Sequence, residues 1–381
     1  MLRKCGICCL ALVALAVAPA VCGAQLQHRA AQSRRGFSPT TTRALKAIVT
    51  TAMAASNTPG MEVGVWVPGR GSFVHAFGTS DIRTGKALAL DDHFRIASIS
   101  KTFTATAALQ LVDRGRLKLS DRLSSFVSGI PYGKRITVEQ LLDMTAGVYD
   151  YSANAGFERD YLKRPNFRFG TRQVLSIIRR NRPAFAPGTQ VMYDNSNYYL
   201  LGLIVEKVTH QSLARVIRNR ILRPLRLRHT SYPSGSRLPK PFARGYLPNQ
   251  SGQLRDVTVS NPAAGGPAGA MISTLADLKV WARALATGTL LEPATQAARL
   301  RTRVLSQTPS GAIRYGLGIT EINGFLGHNG SILGYGSAMF YLPSRRATII
   351  VLNDNNSLTT AIPTNVFIGI ASYLFPSRFP G

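Results

Sequence analysis

Cysteine is nearly missing from this chain. Its four copies (Cys5, Cys8, Cys9 and Cys22) all fall within the first 24 of 381 residues. Beyond them no disulfide, thiolate metal site or cysteine nucleophile is available. Acidic residues are scarce too: 18 Asp and Glu face 46 Lys and Arg, a formal charge of +28. Apart from His328, the histidines (His28, His75, His93, His210 and His229) show no metal-ligand spacing. No zinc-finger spacing, basic zipper or aromatic-rich RNA-binding signature accompanies the positive charge. Neither an internal repeat nor a low-complexity segment interrupts the globular part.

What is there begins with MLRKCGICCLALVALAVAPAVCGA. A basic start (Arg3, Lys4), an apolar run over about 6–21 and small residues before Ala24 make the three parts of a secretory signal. This predicts a signal peptide at 1–24 and an exported chain, periplasmic or secreted, with no stable membrane span after cleavage. A retained anchor is the alternative, because the run is near the lower limit for crossing a bilayer. Residues 25–37 are polar and basic without an apolar period, and read as a flexible leader. Export argues against nucleic acid as a partner. The arginines of RVIRNRILRPLRLRH (215–229) alternate with apolar residues along a helix. They fit either a solvated basic surface or attraction to anionic cell-wall polymers.

The patterning then gives an order of elements. Ser38 suits an N-cap for a helix through about Ala55. MEVGVWVPG and SFVHAFG (61–69 and 72–78) read as a hairpin. A helix follows from about Ser98 to Gly115, and Thr137 with Gln140 makes a capping-box pattern. Residues 121–246 read as mostly helical. The strand-like runs YGLGITEI, GSAMFYL and ATIIVLND come late, before a closing helix. The predicted fold class is α/β, of the α+β type. Its antiparallel sheet, flanked by helices, is shared by 38–120 and 247–381, with 121–246 inserted as a helical subdomain. GGPAG (265–269) lacks a phosphate-loop pattern and reads as a backbone crossing beside a pocket.

One spacing carries chemistry. Ser98 and Lys101 stand three apart at a helix start, on one helix face. An alkyl hydroxyl needs a nearby base to attack a carbonyl, and burial can lower a lysine pKa far enough to supply one. The unpaired amides of the helix start can hold an oxyanion. In isolation this Ser-x-x-Lys is weak, since it arises by chance about once or twice in a chain of this length.

Two later segments strengthen it: Tyr193-Asp194-Asn195 before an apolar helix, and His328-Asn329-Gly330 near a glycine-rich turn. In that order the three resemble the serine beta-lactamase and penicillin-binding superfamily. The tyrosine and histidine forms are those of class C beta-lactamases and of the D-alanyl-D-alanine carboxypeptidase, esterase and D-aminopeptidase relatives. EQLLDMTAGVYDY, FAPGTQVMYDNSNYYLLGLIVEKVTHQSL, GGPAGAMISTLADLKVWARAL and the YGLGI to GHNGSILGYGS region are similar to family segments, so the resemblance spans roughly 40–375. It implies a beta-lactamase/transpeptidase-like fold, no cofactor and no metal. It also implies a serine hydrolase working through an acyl-Ser98 intermediate. Lys101 would be the proton partner and Tyr193 the base, held as a phenolate beside Lys101. Asn195 would hold Lys101 and the substrate amide. His328 would support Tyr193 and meet a substrate carboxylate. Asn329, Gly330 and Ser331 would line the substrate, with the Ser331 and Ser98 amides on the oxyanion. The implied substrate is a peptide of D-alanyl-D-alanine type. An ester or beta-lactam is the alternative within the fold, and a non-catalytic envelope-binding module the alternative outside it. The chain departs from the pattern at Ala146, where relatives carry a hydroxyl, and at His328, where class C lactamases carry lysine.

Overall fold

The structure, a computed structural model, describes residues 36–249, 251–309, 311–356 and 361–379. The expected signal segment and most of the leader lie outside them. The leader's last two residues are not free: Gly36 bridges to Ser72, and Phe37 is buried in the core.

Helix α1 (Pro39–Ser56) starts where the side chain of Ser38 accepts from the Thr41 amide. It ends at Asn57 in the left-handed conformation. Strands β1 (Gly60–Val67) and β2 (Gly71–Asp81) form the expected hairpin, closed at the Val67–Gly71 pair. Two short strands follow, β3 (Lys86–Ala87) and β4 (Phe94–Arg95), then helix α2 (Ser100–Asp113).

All regular structure in 121–245 is helical: α3 (Val138–Leu142), α4 (Ala155–Lys163), α5 (Thr171–Arg180), α6 (Asn195–Thr209), α7 (Leu213–Ile217) and several single turns. Irregular backbone occupies as much of this block as helix does, so "mostly helical" overstated it. The capping box at Thr137 and Gln140 is present with both hydrogen bonds.

The chain next makes a small hairpin, β5 (Tyr246–Pro248) and β6 (Leu254–Asp256), and a short strand, β7 (Ile272–Ser273), that pairs with β4. Helices α8 (Leu275–Thr287) and α9 (Pro293–Arg299) precede six more strands. These are β8 (Arg303–Thr308), β9 (Gly311–Tyr315), β10 (Thr320–Ile322), β11 (Phe325–Ile332), β12 (Tyr335–Leu342) and β13 (Ala347–Asn353). Helix α10 (Ile362–Leu374) closes the fold.

The main sheet has nine strands in the order β3-β2-β1-β13-β12-β11-β10-β9-β8. Every pairing is antiparallel, and β1 lies against β13 from Met61–Asn353 to Trp66–Thr348. Side chains alternate across such a sheet. Ile349 and Val351 of β13, with Ala338 and Phe340 of β12, face α1 and α10. Ile350, Leu352 and Met339 face the larger core, which holds α2 and α8. The Phe340 and Phe367 rings stack 4.2 Å apart beneath α10. Truncating Phe367 to alanine should cost about 3–5 kcal/mol.

Helix α2 is buried all round, not on one stripe. It passes between the sheet and the helical block, and its three inner threonines keep their hydroxyls bonded. Thr102 donates to Ile99 O, Thr104 to Pro267 O and Thr106 to Thr102 O. Phe103 stacks on Trp281 of α8 at 4.2 Å. The N-terminal end of this helix is thereby held rigidly at the junction of the two parts.

Candidate active site

Ser98 lies in a single helical turn, Ala97–Ile99, that leads into α2. The turn is clamped on both sides. Ile96 donates its amide to Met271 O at 3.0 Å, and its carbonyl accepts from Ser337 Oγ at 2.9 Å. Ala97 has a φ of +48°, a conformation that costs a non-glycine residue about 1–3 kcal/mol and concentrates at functional positions. Strand β11 runs directly against the turn. A Cβ on Gly330 would stand 2.6 Å from Ile96 O and 2.8 Å from the Ser98 amide nitrogen. Glycine at 330 is what permits that approach.

Lys101 is completely buried. Its Nζ lies 2.9 Å from Ser98 Oγ, 2.6 Å from Asn195 Oδ1 and 3.0 Å from Ala268 O. Burial pushes its pKa down to about 7, against the pull of the Asp150 and Asp194 carboxylates. Asn195 is the first residue of α6, placed there by the Asp194 side chain, which accepts from the Ser196 amide. Its amide nitrogen donates to Ser152 Oγ at 2.8 Å, which fixes its oxygen toward Lys101.

The Tyr193 ring sits beside the Lys101 Nζ, 4.7 Å from centroid to nitrogen, with the Ser98 hydroxyl close to its phenol. Burial and the neighbouring Tyr315 raise this phenol well above its ordinary value. The phenolate expected from the sequence is therefore corrected: the site holds a neutral phenol beside an amine that titrates near neutrality. The sequence reading weighed the lysine charge and could not weigh the desolvation.

His328 is fully buried and packs against Tyr193, ring centroids 6.0 Å apart. Its Nδ1 lies 2.5 Å from Asn329 O, and its Nε2 3.1 Å from the hydroxyl of Tyr315. A carbonyl only accepts, so Nδ1 carries the hydrogen and Nε2 accepts from Tyr315. Burial and Lys101 hold the imidazole down at about 3, so it is neutral. With both nitrogens engaged, His328 packs against Tyr193 and offers no group to a substrate carboxylate.

Strand alternation divides the rest. Gly330 shares the cleft face of β11 with His328. The Asn329 side chain turns to the opposite face and donates to Thr364 Oγ1 on α10 at 3.0 Å, so its expected side-chain contact with substrate is not made. Ser331 accepts from Asn356 Nδ2 at 2.6 Å and, with Ser98, lines the open cavity.

That cavity holds about 320 Å³. Tyr151, Phe157 and Tyr161 form an aromatic wall, Gly265, Ala268 and Gly269 the opposite rim, and Asn195 and Ser152 the polar edge. The GGPAG crossing is thus beside the pocket, and it also supplies the Ala268 carbonyl that receives Lys101. Among the described residues lining the cavity, Glu158 at the mouth is the only one with a charged side chain. No group of three or more His, Cys, Asp or Glu converges among the described residues, nor is any described helix long and apolar enough to cross a membrane.

Sequence reasoning did not single out Tyr315, Ser152, Asp150 or the Ala268 carbonyl. Tyr315 belonged to a run read simply as a strand, and Ser152 to an unremarked loop. Only tertiary placement gives them partners.

A buried, hydrogen-bonded lysine against a helix-start serine, beside an all-antiparallel sheet, defines a serine hydrolase of beta-lactamase fold. The Beta-lactamase family model matches residues 45–370, and the chain belongs to that family. Penicillin-binding protein 4 of Amycolatopsis lactamdurans is 26% identical over 84% of this chain and 87% of its own length. Protein flp of Staphylococcus aureus (strain MRSA252) is 30% identical over 58% of this chain, and the match spans only 44% of that relative. Among solved structures, a D-stereospecific amidohydrolase from Streptomyces sp. matches with a TM-score of 0.78 at 28% identity, covering 88% of this chain and 99% of its own. D-amino acid amidase from Ochrobactrum anthropi SV3 shares the fold, with a TM-score of 0.78 at 20% identity over 88% of this chain and 99% of its own.

Proposed function

We propose that this protein is an exported serine acyl hydrolase that cleaves small amides or esters through an acyl-Ser98 intermediate. The observation that carries the reading is the 2.9 Å contact between Ser98 Oγ and a Lys101 amine whose pKa lies near 7. Ser98 attacks the substrate carbonyl as its proton passes to neutral Lys101. The ammonium so formed is received by Asn195 Oδ1 and Ala268 O and favoured by Asp150 and Asp194. The Tyr193 phenol gives its proton to the leaving amine or alkoxide and is reprotonated by the Lys101 ammonium beside it. Water then reverses the sequence at the acyl ester. The amides of Ser98 and Ser331 flank the position of the oxyanion.

Lining chemistry narrows the substrate. A free C-terminal carboxylate would meet no lysine or arginine among the described lining residues, and would meet Glu158 at the mouth. This favours acyl groups that are neutral or carry an amine over a carboxypeptidase substrate. The D-stereospecific amidohydrolase among the similar structures supports an amide of a D-amino acid. The D-alanyl-D-alanine carboxypeptidase reading is second, supported by likeness to a penicillin-binding protein, with esterase or beta-lactamase activity behind it.

Intact mass after incubation with penicillin should show one adduct, mapped to Ser98 and absent from Ser98→Ala. Equal labelling or equal ester hydrolysis by wild type and Ser98→Ala would end the catalytic reading. Rates on D-phenylalanine amide, a p-nitrophenyl ester, a cephalosporin and a D-alanyl-D-alanine peptide should fall with the substrate's negative charge. A faster rate on the free-carboxylate peptide than on the amide would reverse the substrate assignment while leaving the mechanism intact.

A further inference from the structure

Between Glu206 and Asp256 the chain carries no acidic residue at all, yet it carries eleven lysines and arginines. Six of these arginines fall in the fourteen positions 215–228. The fold does not scatter them. Helix α7 runs on through the wide turn Arg218–Leu222, and Arg226, at a φ of +54°, turns the chain back. Arg215, Arg218, Arg223, Arg226 and Arg228 come to line one open groove of about 710 Å³. Thr230, Ser231 and Tyr232 complete the lining, and no acidic residue is among its described members. All five arginines are exposed, and among the described ion pairs none of them has a carboxylate partner.

Two acids that contact this stretch are already committed. Glu206 accepts from the Leu213 amide, and buried Asp277 accepts from the His229 amide and the Thr230 hydroxyl. The basic field extends past the groove: Arg114 and Arg116 lower the pKa of Arg220, after its own desolvation. Like charges held together cost stability through self-repulsion. A surface that only needed solubility would intersperse both signs. Five guanidiniums strung along one channel also exceed what a single small anion can contact.

We infer that this groove binds a linear phosphate-repeat polymer, laid along α7 and the 223–232 segment. Guanidinium forks match phosphate oxygens two at a time. The neighbouring Ser231 hydroxyl can donate to one left over. The groove is separate from the cavity at Ser98, and the inference does not rest on the catalytic reading.

Long-chain inorganic polyphosphate is the probe. Its binding to the full chain should weaken steeply with salt. A triple variant, Arg223→Gln, Arg226→Gln and Arg228→Gln, should lose at least about tenfold in affinity at 150 mM salt, and the slope of log K against log salt should flatten by about two. A control triple elsewhere, Arg43→Gln, Arg159→Gln and Arg301→Gln, removes the same charge and should lose less than about twofold. Both triples should keep wild-type ester hydrolysis and melting temperature. Equal losses from the two would overturn the groove in favour of a diffuse field. Inorganic phosphate competing as well as the polymer at equal phosphate concentration would overturn the polymer. Polyglutamate of matched charge binding as tightly through the same arginines would overturn the phosphate assignment.

Discussion

Two buried cations, one carried by helix α2 and one packed against it, differ in kind. Arg299 is 1% exposed, and its guanidinium donates to Thr106 Oγ1 at 2.7 Å and Leu317 O at 3.2 Å. Burial lowers it to about 10, so it keeps its proton at any working pH. Lys101 is as deeply buried, but its pKa falls to about 7 and one of its three partners is a hydroxyl that faces an open cavity. Arg299 ties α9 and the start of the β9–β10 loop to the helix. Lys101 can exchange a proton with a hydroxyl that opens onto the cavity. Burial of charge does not by itself mark a functional site. Titration close to neutrality, next to a nucleophile with solvent access, does.

The sharpest separation is expected from removing each in turn. Lys101→Met should lower kcat by roughly a thousandfold or more while the folded protein persists in urea. Next, Arg299→Met should lower stability by about 2–4 kcal/mol, since Thr106 and Leu317 lose their partner, yet leave kcat per folded molecule within about twofold. Urea melts and active-site titration on both variants measure the pair. The reverse pattern would mean that the two roles have been exchanged.

pH offers a third contrast. On the proposed mechanism Lys101 must be neutral to act as base, so kcat/KM should fall about tenfold per unit below pH 7, with the limb lost in Lys101→Met. The same group has a stability signature. Its pKa is lower in the folded state than the ordinary 10.5, so between about 7 and 10.5 the unfolded chain binds more protons. Wild type should therefore gain stability relative to Lys101→Met as pH rises through that window, with the gain complete above 10.5 and gone below 7. Calorimetry at stepped pH reads the difference, and a flat difference would contradict the buried amine.

The smallest effect belongs to Tyr315→Phe. It removes the hydroxyl that His328 Nε2 accepts from, and so loosens Tyr193 without touching substrate. About a tenfold fall in kcat is expected, with KM unchanged and the pH limb displaced. A purely structural role would alter the melting temperature and leave the pH profile alone.

Much of this was legible before the structure. The Ser38 cap, the 60–81 hairpin and the capping box at Thr137 are local, and local chemistry sets them. The Ser98, Lys101, Tyr193, Asn195 and His328 cluster was legible through its order along the chain. What failed depended on dielectric or on distance. The Tyr193 phenolate was judged by nearby charge, and desolvation won. A substrate contact at His328 fails because the Tyr315 hydroxyl, distant in sequence pattern but adjacent in the fold, occupies its second nitrogen. Asn329 is different, because alternation along a strand already placed it opposite His328 and Gly330, and that signal was overlooked.

The seam between β1 and β13 has a temporal consequence. Asp354 caps the Gly60 amide across 294 residues, and the β1 edge of the opening hairpin has no strand to pair with until the last strand has been synthesised. Contacts of such range form slowly. The chain must leave the ribosome almost whole before the main sheet can close along this seam.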